Sequence, residues 1–134
     1  LLGMRFILAA PKQYQFDESF KKRVTSLAPD ASIEQTEDPI AAVQDAVAVY
    51  TDVWASMGQE KERETRKTAF QPYQINRKLM DNYPNAIFMH CLPARRGEEV
   101  TDEVIDGKQS VVVTQAANRM HVQKGLLAWL LGHR

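Results

Sequence analysis

The stretch Ala86-Ile87-Phe88-Met89-His90-Cys91-Leu92-Pro93 decides how this chain is read. It opens on an apolar run of strand length with no polar alternation, and a proline stops it soon after. A strand without alternation is buried on both faces, as in a parallel sheet covered by helices. Two further segments repeat the pattern: Met4–Ala10, stopped by Pro11, and Ala46–Thr51, stopped by Asp52. Ser110-Val111-Val112-Val113 reads as another such strand, and Ser32–Thr36 alternates like an edge strand.

Between the strands lie helical patterns. Asp17 is placed to cap a helix carrying Phe20, Val24 and Leu27 at helical spacing. Asp38-Pro39 puts a cap ahead of a proline at the first helical position, so Ile40–Ala46 is expected to be helix. Glu60–Phe70 is a charged helix with Glu62/Arg66 and Glu64/Lys67 at pairing distance, Tyr73–Asp81 a helix halted at Pro84, and Thr101–Asp106 a short helix closed by Gly107. A final helix over Gln115–Leu131 places Ala116, Met120, Leu127 and Leu131 on one face. Strand and helix alternate from end to end, so the expected class is α/β: a doubly wound, mainly parallel sheet with helices on both faces, a three-layer sandwich occupying residues 1–134.

Composition narrows the function. The 134 residues carry 17 Lys+Arg against 17 Asp+Glu, a formal net charge of zero. That balance lacks the basic field that accompanies nucleic-acid binding or attachment to anionic membranes. The single cysteine, Cys91, allows no intrachain disulfide, and no Cys/His spacing suits zinc. No apolar run is long enough for a membrane helix, and Leu1-Leu2-Gly3 lacks the charged start of a signal peptide. A reducing, cytoplasmic setting is expected, with neither nucleic acid nor membrane as partner.

In doubly wound sheets, ligands gather at the carboxyl ends of strands. After Thr51 comes Asp52-Val53-Trp54-Ala55-Ser56-Met57-Gly58. An acid at the strand tip followed by a hydroxyl and a Met-Gly turn suits the ammonium and carboxylate of an amino acid, though ordinary turn capping and loop packing would use the same residues. After His90 come Cys91 and Leu92, with Pro93 expected to bias Leu92 to an extended form and aim the carbonyls of both residues at a ligand. Cys91 reads as a nucleophile, a thiol packed against ligand or, as a lone cysteine usually is, a small buried hydrophobe, since nucleophilic use needs a base and a depressed pKa. His90, adjacent in a strand, points to the opposite face, so the two are not a catalytic pair. The third strand end leads to Asn118-Arg119-Met120-His121, where Arg119, in the first turns of a helix, either binds an oxyanion or faces solvent. There is no G-x-G-x-x-G, no Walker A loop and no G-x-S-x-G elbow.

Together these strings resemble the second, ornithine-binding domain of the aspartate/ornithine carbamoyltransferase family: Tyr50-Thr51-Asp52-Val53-Trp54-Ala55-Ser56-Met57-Gly58, then Phe88-Met89-His90-Cys91-Leu92-Pro93 with Arg96-Gly97-Glu98-Glu99-Val100-Thr101-Asp102, then Asn118-Arg119-Met120-His121-Val122-Gln123-Lys124. The likeness covers essentially the whole chain. It implies transfer of a carbamoyl group from carbamoyl phosphate to the δ-amine of L-ornithine, giving L-citrulline and phosphate, a step of arginine biosynthesis or of urea-cycle type, with no cofactor and no metal. It implies that Asp52 binds the ornithine α-amino group, that Ser56 and Met57 close over the amino-acid end, that Cys91 and Leu92 contact the reacting amine and the carbamoyl group, and that Arg119 binds carbamoyl phosphate.

The resemblance further implies that this is a domain lacking its first strand and its N-terminal carbamoyl-phosphate partner domain, whose enzymes are commonly homotrimers. These residues alone are then not expected to form citrulline, and Ala128-Trp129-Leu130-Leu131 is expected to be an exposed apolar patch. Alternatives are a carbamoyltransferase for putrescine or an acylated ornithine, which Ser56-Met57-Gly58 disfavours, and a non-catalytic amino-acid-binding fragment.

Overall fold

The structure, a computed structural model, describes residues 4–56 and 58–132. Two parallel strand pairs form its frame. Strand β1 (Arg5–Ala9) runs beside β2 (Ser32–Thr36), with Arg5 opposite Ser32 and Ala9 opposite Thr36. Strand β3 (Ala48–Thr51) runs beside β4 (Ile87–His90), with Ala48 opposite Ile87 and Thr51 opposite His90. Parallel neighbours need a crossover between them, and helices supply each one, as the α/β reading requires.

Between β1 and β2 lies α1 (Glu18–Leu27), started by Asp17, whose side chain accepts the Phe20 N–H at 2.7 Å. Stacking of Phe16 on Phe20, with ring centroids 4.4 Å apart, and of Phe6 on Phe16 ties the helix to β1. Only Phe20 and Val24 of the expected face are half-buried; Leu27, at the helix end, is exposed. The next helix, α2 (Pro39–Ala42), is capped by Asp38, which accepts from Ile40 and Ala41. It ends earlier than expected because the chain turns at Asp45, whose φ of 60° lies in the left-handed region that aspartate tolerates.

Helix α3 (Arg63–Phe70) carries the predicted Glu62–Arg66 ion pair at 2.9 Å. The helix expected over Tyr73–Asp81 is broken: a 3-10 turn at Gln71–Tyr73 is followed by α4 (Arg77–Met80), capped by Asn76. The break lets Ile75 leave the helical path and bridge to Val100. Helix α5 (Asp102–Ile105) and the long α6 (Val112–Leu130) complete the chain.

The core gathers Val43, Val49, Ile75, Met80, Ala86, Phe88, Val100, Val104, Ile105 and Val112 around β3 and β4. Phe88 and Val100 are fully enclosed.

The strand expected at Ser110–Val113 shrinks to one parallel bridge, Phe88 to Ser110. Phe88 N–H donates to Gln109 O, Val111 N–H donates to Phe88 O, and the chain then turns into helix, with Gln115 N–H closing on Val111 O. The valine run reads as strand on propensity alone. Here tertiary packing overrides propensity, since Val112 is buried in the core as the first residue of α6. Beyond Gln115 the helix stands clear of the core, so Met120 and Leu127 do not form a buried stripe, and Trp129, Leu130 and Leu131 are exposed as expected.

Candidate functional site

The register of β3 against β4 builds the site. Tyr50 lies opposite Met89 and Thr51 opposite His90, so the next residues, Asp52 and Cys91, emerge side by side at the carboxyl ends. Alternation along a strand puts Tyr50, Asp52, Met89 and Cys91 on one face and Val49, Phe88 and His90 on the other. The second group is buried, whereas Cys91 is exposed.

The Cys91 thiol donates to Asp52 Oδ1 at 3.0 Å. Partial burial pushes the Cys91 thiol up from its ordinary value, and the hydrogen bond and negative charge of Asp52 push the same way, while Tyr50 opposes them. Tyr50 itself is pushed up to about 12, by burial first and then by Cys91 and the charge of Asp52. The thiol is therefore held protonated at neutral pH, a poor nucleophile and a good packing group. Of the three readings of Cys91, the covalent one has no support in this geometry.

Asp52 also accepts the Val53 N–H at 2.7 Å, which fixes its carboxylate at the strand tip. The loop beyond is anchored by Trp54 and Ala55, both buried, and Trp54 stacks on Phe70 with centroids 6.3 Å apart. Gly58, at a φ of 88°, makes the turn that brings Gln59 back to Ser56, where Gln59 Oε1 accepts the Ser56 N–H. Ser56 is exposed at this turn; Met57 lies outside the described residues. An open cleft lined by Trp54, Lys67, Gln71, Gln74 and Gly97 runs beside the loop.

Leu92 differs from expectation. Its φ is 55°, in the left-handed region rather than extended, and the bond to Pro93 is cis. A leucine there costs about 1–3 kcal/mol and persists only where its surroundings hold it. The holder is His90, whose Nδ1 accepts the Leu92 N–H at 2.8 Å. His90 faces Glu99, and both are buried. Sequence reasoning missed Glu99 entirely: nothing in Glu98-Glu99 marks the second glutamate as buried, since its partners come from Arg95 and His90.

Arg119 lies about two turns inside α6, not at its start, because the helix begins at Val112. Backbone N–H groups at that depth are spent within the helix, so the side chain alone can meet an anion. It is exposed, one turn beyond Gln115, whose side chain accepts the His90 N–H at 3.2 Å. Spacing of four residues puts Arg119 on the Gln115 side of the helix, leading outward from the end of β4.

Other charges are engaged elsewhere. Arg96 clamps Asp102 and Asp106 at 2.6–2.8 Å, and Glu98 draws in Arg63, Lys67 and Arg95. Among the described residues there is no cluster able to hold a metal ion, and no helix is long and apolar enough to cross a membrane.

Residues 1–130 match the model of the family described as aspartate/ornithine carbamoyltransferase, Asp/Orn binding domain. The ornithine carbamoyltransferase of Pyrococcus abyssi is 51% identical over 134 aligned residues, covering 98% of this chain and 42% of the relative. The anabolic ornithine carbamoyltransferase of Pyrococcus furiosus is 50% identical, with the same two shares. The solved structure of the Pyrococcus furiosus enzyme superposes with a TM-score of 0.82 at 50% identity, over 92% of this chain and 41% of that one. The chain thus spans about two-fifths of the length of the curated relatives it matches, and the solved relative bears out the α/β class.

Proposed function

The chain belongs to the aspartate/ornithine carbamoyltransferase family, as its Asp/Orn-binding domain, and from that premise we propose that it forms the ornithine side of an active site. There a carbamoyl group passes from carbamoyl phosphate to the δ-amine of L-ornithine, giving L-citrulline and phosphate, a step of arginine biosynthesis. The single observation that carries this reading is the Asp52–Cys91 pair, set at adjacent strand ends 3.0 Å apart.

The reaction needs an uncharged amine aimed at a planar carbonyl, and charge develops on the carbonyl oxygen and the leaving phosphate. Asp52 offers a fixed carboxylate to the α-ammonium group. Cys91, held as a thiol, packs beside the δ-amine, and the Cys91 and Leu92 carbonyls accept its N–H groups, which leaves its lone pair aimed at the carbamoyl carbon. Arg119 brings a guanidinium to the carbamoyl phosphate, and Ser56 with Met57 closes over the amino-acid end. No step requires a metal or a cofactor.

The site faces outward, so its opposite wall belongs to a carbamoyl-phosphate domain contributed by a longer polypeptide. The share of the relatives that this chain spans supports that reading. So does the sheet: among the described residues β1 and β3 each pair with one strand only, leaving an edge on each for a further strand of the same domain. The full enzyme is proposed to be a cytoplasmic homotrimer.

The test is a chimaera in which this chain replaces the matching segment of the Pyrococcus furiosus enzyme. Citrulline formation from ornithine and carbamoyl phosphate is expected, with putrescine a poor competitor, while the 134-residue chain alone forms none. A folded chimaera that makes no citrulline, or one that prefers putrescine, would sink the reading.

A further inference from the structure

We infer that the buried pair His90–Glu99 is a positioning device that holds the loop from Cys91 to Arg96 in its ligand-facing form. His90 ends β4 with its ring turned into the core, 1% exposed, and Glu99 is wholly enclosed. His90 Nδ1 accepts the Leu92 N–H at 2.8 Å. A ring nitrogen that accepts carries no proton, so the proton of neutral His90 sits on Nε2. Nε2 faces Glu99 Oε1 at 3.3 Å, and that same oxygen accepts the Arg95 N–H. Two loop amides, one on each side of the Leu92-Pro93-Ala94 turn, are therefore gripped by one buried pair.

The grip is anchored on both sides. His90 N–H donates to Gln115 Oε1, and Glu99 O accepts the Ile75 N–H at 2.9 Å. Leu92 meanwhile holds a left-handed φ that a leucine does not adopt unaided.

The pair is also a poor way to fill a core. At 3.3 Å the Nε2–Oε1 contact is not a formed hydrogen bond, and neither His90 Nε2 nor Glu99 Oε2 has a hydrogen-bond partner among the described residues. Incompletely satisfied buried polar groups destabilise a fold relative to apolar side chains of the same size. What they supply here is the fixed placement of the Cys91 and Leu92 carbonyls, and that consequence rests on the ornithine reading above. His90 and Glu99 touch no substrate in it; they act through the loop.

The test is amide hydrogen exchange on the 134-residue chain, read residue by residue. In His90→Leu the Leu92 amide is expected to exchange about tenfold faster, with the Phe88 and Val111 amides still protected. His90→Asn, whose Oδ1 takes the place of Nδ1, is expected to restore protection. In Glu99→Leu the Arg95 amide loosens similarly, and Glu99→Gln restores it. Unchanged Leu92 and Arg95 exchange in the leucine variants, or equal loss in the Asn and Gln variants, would overturn the inference. Should the leucine variants not fold, His90→Ala and Glu99→Ala take their place: loosened Leu92 and Arg95 amides support the inference, and unchanged exchange overturns it. Titration with L-ornithine separates the two readings: affinity is expected to fall in His90→Leu and return in His90→Asn. A folded chimaera that makes no citrulline, with loop exchange behaving as stated, would remove the ornithine reading and leave the latch standing.

Discussion

Cys91 Sγ and Asp52 Oδ1 meet at 3.0 Å, one residue beyond the last paired residues of β4 and β3. A thiol donating to a carboxylate is stabilised in its protonated form, and partial burial adds to the effect. Replacing Asp52 by Asn removes the negative charge, so the Cys91 pKa falls and more thiolate exists at any pH below it. Alkylation by iodoacetamide at pH 8 is expected to quicken in Asp52→Asn, because more of the thiol is ionised. Rates measured across pH should show the midpoint moving down; an upward move would contradict the assigned geometry.

Asp52 also carries the proposed ammonium contact. Loss of a charge-assisted hydrogen bond costs about 1.5–3 kcal/mol, so Asp52→Ala is expected to weaken L-ornithine binding by one to two orders of magnitude. Calorimetric titration of wild type and variant checks this. Equal affinities would place the ammonium elsewhere.

Phe88 is wholly enclosed in the cluster around β4. Phe88→Ala leaves a cavity that its neighbours cannot fill, at a cost of about 3–5 kcal/mol. Urea unfolding monitored by circular dichroism should show the midpoint falling sharply, or the chain unfolded in buffer.

Two glycines should respond in opposite directions to alanine. A Cβ at Gly107 would lie 2.5 Å from the Glu103 backbone oxygen, which requires a backbone shift, whereas one at Gly125 meets nothing within 4 Å. Gly107→Ala is expected to destabilise by about 1–3 kcal/mol. Gly125→Ala, in the interior of α6, is expected to stabilise that helix by about 0.5–1 kcal/mol. Thermal melts of the two variants give the signs directly.

Three exposed carboxylates set the acid limit. The Phe20 backbone N–H and Ser19 hydroxyl hold Asp17 below the usual carboxylate range, and Arg5 and Arg96 do the same for Glu34 and Asp106. A depressed folded pKa contributes stability above the unfolded value that is lost as pH falls through the folded one. The melting temperature should therefore hold near neutrality and drop in acid. Asp17→Asn keeps an acceptor for the cap, so it should reduce the size of the acid drop.

The strand ends were legible because unbroken apolar runs announce buried parallel strands, and Asp52 and Cys91 sit where those runs stop. The caps at Asp17 and Asp38 were equally plain, since a capping side chain bonds to its own next few residues. Arg119 lies deeper in its helix than the sequence suggests, because the valines before it favour a strand until the burial of Val112 decides otherwise. Leu92 and Glu99 were opaque for a different reason. Their partners His90 and Arg95 are close in sequence, but nothing local encloses this stretch; Ile75 and Gln115 arrive from distant segments to fix it in the core.

What the sequence determined by itself was the periodic and the local: strand against helix, the helix starts, the class of fold and the strings that mark the family. What only the tertiary structure decided was register and enclosure: that Asp52 and Cys91 are neighbours, that Cys91 is held as a thiol, and that a buried histidine and glutamate grip the loop between them. Periodicity and capping are properties of contiguous residues. Register and burial depend on which distant segments meet, and that is fixed when the chain packs.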